Sequence, residues 1–397
     1  MPDRYHNPSL FFACSLCMIG PIPFMIATRP PLAVRVAVFA AQVAISVYAV
    51  STMTLGNAAL DYQFASLGFG WPAFTALHFY FLSDPLHDGT RHRNDMQAAK
   101  DMPFGKRLWW ATCLLWASRG VGWTTAIPHL PQMPHFRSRK DFILSRLRDT
   151  AFFYLLTDCC GTYFEQNPLT SWRAAERLPI SSQGVLFQCI TITVTVIHFW
   201  ANSQMMYSEL SIIAALLGQE PRDWPPMWGD LGEAYTLRKI WGRVWHQLMR
   251  RYVASTGKAV VSLLGIKRGT NASSYTQLYI GFLASGLTHV WGDRQIDVTV
   301  GRSIPFFLLQ AVAITFEDGV IAVGRTLGIK ETAATRLIGR VWSAAWLLAT
   351  LKLLVDPALS TGEPVDSGLP FSVIGSVWRA AGMEGKVNFP WPEPTVI

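Results

Sequence analysis

The stretch Leu32-Ala33-Val34-Arg35-Val36-Ala37-Val38-Phe39-Ala40-Ala41-Gln42-Val43-Ala44-Ile45-Ser46-Val47-Tyr48-Ala49-Val50-Ser51-Thr52-Met53-Thr54-Leu55 decides the fold. A helix rises 1.5 Å per residue, so about twenty predominantly apolar residues cross a hydrocarbon core about 30 Å thick. The single charge, Arg35, lies near one end, where a long side chain can reach the headgroups. Comparable runs occupy 10–28, 63–82, 108–127, 142–164, 183–206, 275–292, 303–324 and 338–355, while 208–218 is too short to cross alone. The first is broken by Gly20-Pro21-Ile22-Pro23. Arg119 and several glycines in 108–127, and Arg146, Arg148, Asp149 and Asp158 in 142–164, predict segments that are partly interfacial or lean on neighbouring helices. The expected fold is all-α, a polytopic transmembrane helix bundle of about eight or nine spans. With no internal repeat, Gly/Ser linker or low-complexity tract, 1–397 reads as a single membrane-embedded domain.

Composition agrees. Half of the 397 residues are apolar and only 15% are charged, where soluble proteins average about 25%. Mean hydropathy is +0.24. The 16 Trp, 23 Phe and 11 Tyr suit a chain that meets the membrane interface many times. Disorder, collagen-like repeats and a secreted disulfide scaffold are excluded. The net charge of +8 sits in clusters between apolar runs, such as Arg91, Arg93, Lys106 and Arg107, then Arg137, Arg139, Lys140, Arg146 and Arg148. Between spans, such clusters follow the positive-inside bias, so they read as cytosolic loops and not as a nucleic-acid surface. Cys14, Cys17, Cys113, Cys159, Cys160 and Cys189 lie almost entirely within apolar stretches without paired zinc-site spacing, and read as small buried hydrophobes.

Two segments depart from a simple span. Tyr235 to Arg251 follows the proline-rich turn 219–226. At helical period it places Trp241, Trp245 and Leu248 on one face and Arg243, Gln247, Arg250 and Arg251 largely on another. That predicts an amphipathic interfacial helix near 235–251, with His246 among the aromatics. The second is Leu283-Ala284-Ser285-Gly286-Leu287-Thr288-His289-Val290-Trp291-Gly292-Asp293. An ionisable residue deep in an apolar span is costly and marks a candidate functional site; the structural alternative is a histidine satisfied by a helix partner or by Asp293 at i+4. Ser285 and Gly286 would let a helix or substrate approach the ring. A neutral imidazole can accept the proton of an alcohol as it attacks a carbonyl, help worth about 10²–10⁴ in rate. With an acyl-CoA thioester as donor, positioning and one base suffice.

Trp241-Gly242-Arg243-Val244-Trp245-His246-Gln247, followed by Ser285 to Asp293, resembles the paired signature of the wax synthase family, a branch related to the membrane-bound O-acyltransferases. The matching region is 224–297, with weaker similarity in Arg119-Gly120-Val121-Gly122-Trp123 and Gln310-Ala311-Val312. In overall look and length the chain is similar to fungal members that acetylate terpenoid and meroterpenoid alcohols in secondary metabolism. The resemblance implies His289 as general base. It implies that His246, at a position that other membrane-bound O-acyltransferases fill with Asn, Asp or His, orients the donor thioester or stabilises developing charge. Asp293 falls in the pattern and is expected to fix the His289 tautomer. Acetyl-CoA, or another acyl-CoA, would be a co-substrate, with no permanently bound cofactor and no metal. Trp245, Arg243, Arg250 and Arg251 are the donor-binding candidates, with Lys267 and Arg268 as further charges toward its phosphates. A hydrophobic alcohol would enter from the bilayer, and the expected location is the endoplasmic reticulum with basic loops cytosolic.

Other readings weigh less. His289 and Asp293 also spell the HxxxD pattern of soluble acyltransferases, whose fold is different. Asn94-Asp95 and Asp101 lack the spacing of diphosphate-binding magnesium motifs, and His87 with His92 is too loose a pair for a di-iron site. A long-chain wax ester synthase is the nearest alternative. From another class, Glu317-Asp318 within 303–324 would suit a proton- or cation-coupled transporter, or else a polar contact with an arginine of a neighbouring helix.

Overall fold

Gly20-Pro21-Ile22-Pro23 divides the amino-terminal apolar run into two consecutive helices. In the computed structural model, which describes residues 4–56, 58–170, 178–296, 300–359 and 368–382, α1 (Pro8–Ile19) and α2 (Pro21–Thr28) meet at a helical Gly20. A proline in the first turn of α2 removes only an N–H that a helix start leaves unused. The opening stretch forms α3 (Leu32–Thr52), after which the chain turns extended and Tyr5–His6 (β1) pairs in parallel with Met53–Thr54 (β2). The expected span 63–82 is helical but of mixed pitch. It comprises α4 (Ala58–Ala65), a π-helical turn Ser66–Gly70, α5 (Trp71–Leu77) and a second π-helical turn His78–Leu82.

The segment 108–127 is not one span. α6 (Phe104–Trp116) stops where Arg251 donates to the carbonyls of Leu114 and Ala117, capping the helix end. The chain beyond folds onto the preceding loop, with Arg93 N–H bonded to the Gly122 carbonyl, Thr124 N–H to the Arg91 carbonyl, and the rings of Trp110 and Trp123 5.4 Å apart. α7 (Arg139–Gln166) matches 142–164, and its polar residues do lean on neighbours. Arg146 reaches Asp149 and the Trp224 carbonyl, and buried Asp158 accepts the N–H of Ile374. The two segments 183–206 and 208–218 are a single helix, α8 (Gly184–Leu216). Its central serines do not interrupt it because their hydroxyls return to the helix's own carbonyls, Ser203 to Phe199 and Ser208 to Gln204.

The expected amphipathic helix over 235–251 is absent as such. A short turn α9 (Leu237–Lys239) passes into a π-helical turn Ile240–Val244, Trp245 is extended, and helix resumes as α10 (Arg250–Leu263). Side chains replace the backbone ladder there. Gln247 donates to the carbonyls of Trp241 and Trp245, and Arg250 donates to that of Gly242. α11 (Asn271–Gln295), α12 (Ile304–Thr326), α13 (Ala333–Leu359) and α14 (Val373–Ala380) complete the chain. Asp297, in the signature region, lies outside the described residues.

The fold is all-α, and among the described residues five helical stretches are long and apolar enough to cross a membrane: Pro8–Thr28, Leu32–Thr52, Ile180–Leu216, Ile304–Thr326 and Ala333–Asp356. The chain divides into two compact units. Residues 1–56, 60–131 and 228–344 form one, in which α11 packs against α10, α12 and α3, over a core that includes Phe11, Met18, Val50, Met53 and Phe69. The described residues among 58–59, 132–227 and 345–382 form the other, built on α7 against α8, with Ile180, Ile192 and Val355 clustered beside it.

Candidate active site

His289 lies on α11, in a turn whose neighbours approach unusually closely. A Cβ on Gly292 would strike the Tyr62 ring and the Ser66 hydroxyl, and one on Gly70 would strike the Thr288 carbonyl. Only glycine at these positions lets residues 62–70 lie flush on the turn that carries His289. The imidazole is thereby stacked between two rings, Tyr62 at 5.8 Å and Phe307 at 4.8 Å between centroids. Its Nδ1 is 3.0 Å from the Tyr62 hydroxyl, which is also 3.0 Å from the Ser303 hydroxyl. Ser303 donates through both its backbone N–H, at 2.9 Å, and its hydroxyl to the buried carboxyl of Asp293. Asp293 therefore meets His289 through two hydroxyls and not directly at i+4. Tyr62 thus engages Nδ1 and not Nε2.

His246 sits in the non-helical segment after Trp245. The Gly229 N–H bonds the Val244 carbonyl at 2.9 Å, which brings Trp228 against Trp245 at 4.9 Å and against His246 at 5.4 Å. Aromatic contacts continue from Trp245 to Trp241 at 5.4 Å, from Trp241 to Phe306 at 6.2 Å, from Phe306 to Phe307 at 5.0 Å, and so to His289. The two histidines terminate one aromatic row. Residue 246 lies outside the candidate spanning helices, and its imidazole is pushed down to about 4, first by burial and then by His289 and Arg119. It is neutral at physiological pH, and Arg119, from the weaker sequence match, is close enough for its charge to be felt there.

The arginines serve the loop's shape. Half-exposed Arg243 pairs with Glu233 at 3.1 Å. Arg250 holds the Gly242 carbonyl at 2.7 Å and Gln247 at 2.8 Å, and Arg251 caps α6. Glu317 and Asp318 clamp the start of the same loop. The Glu317 carboxyl accepts the N–H groups of Leu237, at 2.9 Å, and Arg238, while Asp318 takes the Arg238 guanidinium and the Tyr275 hydroxyl. The acidic pair thus makes the neighbour's arginine contact weighed from sequence, and the transporter reading loses the observation that motivated it.

Tyr62, Ser303 and Phe307 were not singled out in the sequence. Ser303 carried a signal: it precedes Ile304-Pro305 as a helix-start residue would, yet its side chain makes no cap bond and turns to Asp293 instead. Tyr62 carried none, standing 227 positions from its partner.

Known proteins bear on this site. The sequence pattern of the membrane bound O-acyl transferase family matches residues 224–309, a stretch holding both histidines, Asp293, Ser303 and Phe307. The chain is 33% identical over 342 residues to the acetyltransferase ple2 of Rhodocybe pseudopiperita, covering 85% of this chain and 88% of that protein. It is 30% identical over 281 residues to the acetyltransferase eriL of Hericium erinaceus, covering 69% and 72%. To the O-mevalon transferase yanI of Aspergillus niger it is 26% identical over 312 residues, covering 71% and 69%. With such identity across most of both partners, and with its aromatic row and two histidines inside the matched region, the chain belongs to the membrane bound O-acyl transferase family.

Proposed function

We propose that this membrane O-acyltransferase moves an acetyl group from acetyl-CoA to the hydroxyl of a hydrophobic terpenoid or meroterpenoid made in secondary metabolism. The observation that carries the chemistry is His289, stacked between Tyr62 and Phe307 with Nδ1 engaged. Nε2 takes the proton of the acceptor hydroxyl as its oxygen bonds to the thioester carbonyl carbon. The tetrahedral intermediate collapses, the C–S bond breaks, and the imidazolium returns the proton to the departing sulfur, giving ester and CoA. Base help of this kind is worth about 10²–10⁴.

His246, neutral and desolvated, orients the thioester or donates to the oxyanion, where a preorganised donor is worth about 10²–10³. Trp245 shapes the donor's path beside it. Half-exposed Arg243 would exchange its ion pair with Glu233 for the donor phosphates, and Arg250 and Arg251 hold the loop and α6 beside it. Acetyl as the acyl group is supported by the names of the relatives ple2 and eriL. The proposal extends to 1–397 acting as one acyltransferase domain, with every residue invoked in the first unit, and to an endoplasmic-reticulum location with the basic loops cytosolic.

The test is transfer of label from acetyl-CoA, beside palmitoyl-CoA, to hydroxylated terpenoids and fatty alcohols, using membranes that carry wild type or His289→Ala. Acetyl transfer to a terpenoid alcohol in wild type, lowered at least about a hundredfold in the variant with normal expression, is the expected result. Palmitoyl transfer to a fatty alcohol would make it a wax ester synthase. An active His289→Ala would remove the proposed base.

A further inference from the structure

We propose that Tyr62 and Ser303 are positioning residues that transmit the polarity of Asp293 to His289 and so fix its tautomer. The inference rests on His289 being the base. Its ground is proton counting along one chain of contacts, Asp293 to Ser303 to Tyr62 to His289. A carboxylate only accepts, so the Ser303 hydroxyl spends its one proton on Asp293. The backbone N–H of Ser303 also donates to Asp293, which pins its role as acceptor. The Ser303 oxygen is then an acceptor, and the Tyr62 hydroxyl must give its proton to Ser303. The Tyr62 oxygen in turn accepts, and what faces it is Nδ1, which must carry the imidazole proton. Nε2 is left as the lone pair.

Each link has one hydroxyl proton, so the chain has only two coherent directions, and Asp293 selects the one that makes Nε2 a base. The fold secures the geometry from both ends. Glycine at 292 admits the Tyr62 ring against α11, and Ser303 is held to Asp293 by two bonds at once. In catalytic triads, an amide in place of the orienting carboxylate costs about ten-thousandfold in kcat through the wrong tautomer. The relay here is longer, and a smaller loss is expected.

The experiment uses the full chain in membranes or lipid nanodiscs. Tyr62→Phe keeps the stacked ring and deletes the relay; its kcat should fall about tenfold to a hundredfold, with both KM values within about twofold. Asp293→Asn is the sharper variant. Its amide can still accept the Ser303 N–H but can also donate to the Ser303 oxygen, reversing every bond, and its kcat should fall about a hundredfold or more. Ser303→Thr should recover most of what Ser303→Ala loses. Imidazole 15N spectra of histidine-labelled protein, with the His289 signal assigned by its loss in His289→Gln, should report Nδ1–H in wild type and Nε2–H in Asp293→Asn. An Nε2–H wild type overturns the relay whatever the activities do. Wild-type kcat in both Tyr62→Phe and Asp293→Asn, with His289→Ala inactive, overturns it while leaving the base in place. An active His289→Ala defeats the base reading instead, and the spectra still decide the tautomer.

Discussion

His246 is a half-buried imidazole packed against the rings of Trp228 and Trp245, and the loss of water around it makes its protonation unfavourable. Its pKa in the folded protein, about 4, lies below the ordinary 6.5. As pH falls through 6.5, the unfolded chain binds a proton that the folded chain refuses until about 4, so stability declines across that window and is flat above it. The expected decline is on the order of 3 kcal/mol. His246→Asn removes the titrating group while keeping a donor, so its thermal midpoint in detergent should lose less than that of wild type between pH 7 and pH 5. Its kcat should stay within about tenfold of wild type, because the amide N–H can still meet an oxyanion. Equal pH slopes for the two proteins would contradict the burial argument. Both histidines were legible as ionisable groups in apolar surroundings, and so was the helix shared by His289 and Asp293. The contact between those two residues was not. Helical period suggests an i+4 pair, whereas the carboxyl turns to a hydroxyl ten positions on, and the ring turns to a tyrosine on another helix.

At the scale of elements, the run Tyr235–Arg251 shows why period alone can mislead. Its apolar and polar residues alternate as in a helix, but Gln247 and Arg250 satisfy carbonyls that a helix would have bonded itself, and the chain opens at Trp245. What holds the opened form in place comes from α12. Glu317, buried at 6% exposure, accepts the first amides of α9, and the Thr236 side chain accepts that of Lys239. Buried donors stripped of an acceptor cost about 1–3 kcal/mol each. Glu317→Ala should therefore lower thermal stability by a few kcal/mol and reduce kcat, since the segment carrying Trp241, Trp245 and His246 loses its anchor. Glu317→Gln keeps one acceptor oxygen and should fall between. Unfolding curves and turnover measured on the same preparations check this, and a Glu317→Ala protein of wild-type stability would mean the clamp contributes nothing. The boundaries of spanning runs such as 32–55 and 303–324 were readable because membrane length fixes them. The end of α6 was not, because Arg251, far away in sequence, caps it.

At the scale of the whole molecule, charge and apolar surface predict different behaviour for the two substrates. The chain carries a net +8, gathered in segments between apolar helices, and among the described residues five stretches are apolar enough to cross the bilayer. An acyl-CoA brings phosphates from water, so a basic surface raises its local concentration, an effect that salt removes as the screening length falls from about 10 Å at 0.1 M to about 3 Å at 1 M. An uncharged alcohol dissolved in hydrocarbon feels none of this. Raising salt across that range should therefore increase KM for the acyl-CoA several-fold while leaving KM for the alcohol within error, with kcat unchanged. Lengthening the apolar body of the acceptor at fixed salt should do the converse, lowering the bulk concentration at half-saturation as partition into the membrane rises, by a factor approaching that of about 0.8 kcal/mol per added methylene. The two dependences can be measured in one set of vesicles carrying the protein. If both KM values rose together with salt, the donor and acceptor would share an aqueous entrance. If neither responded to its own variable, approach through the basic segments and through lipid would both be wrong, even with the chemistry at His289 intact.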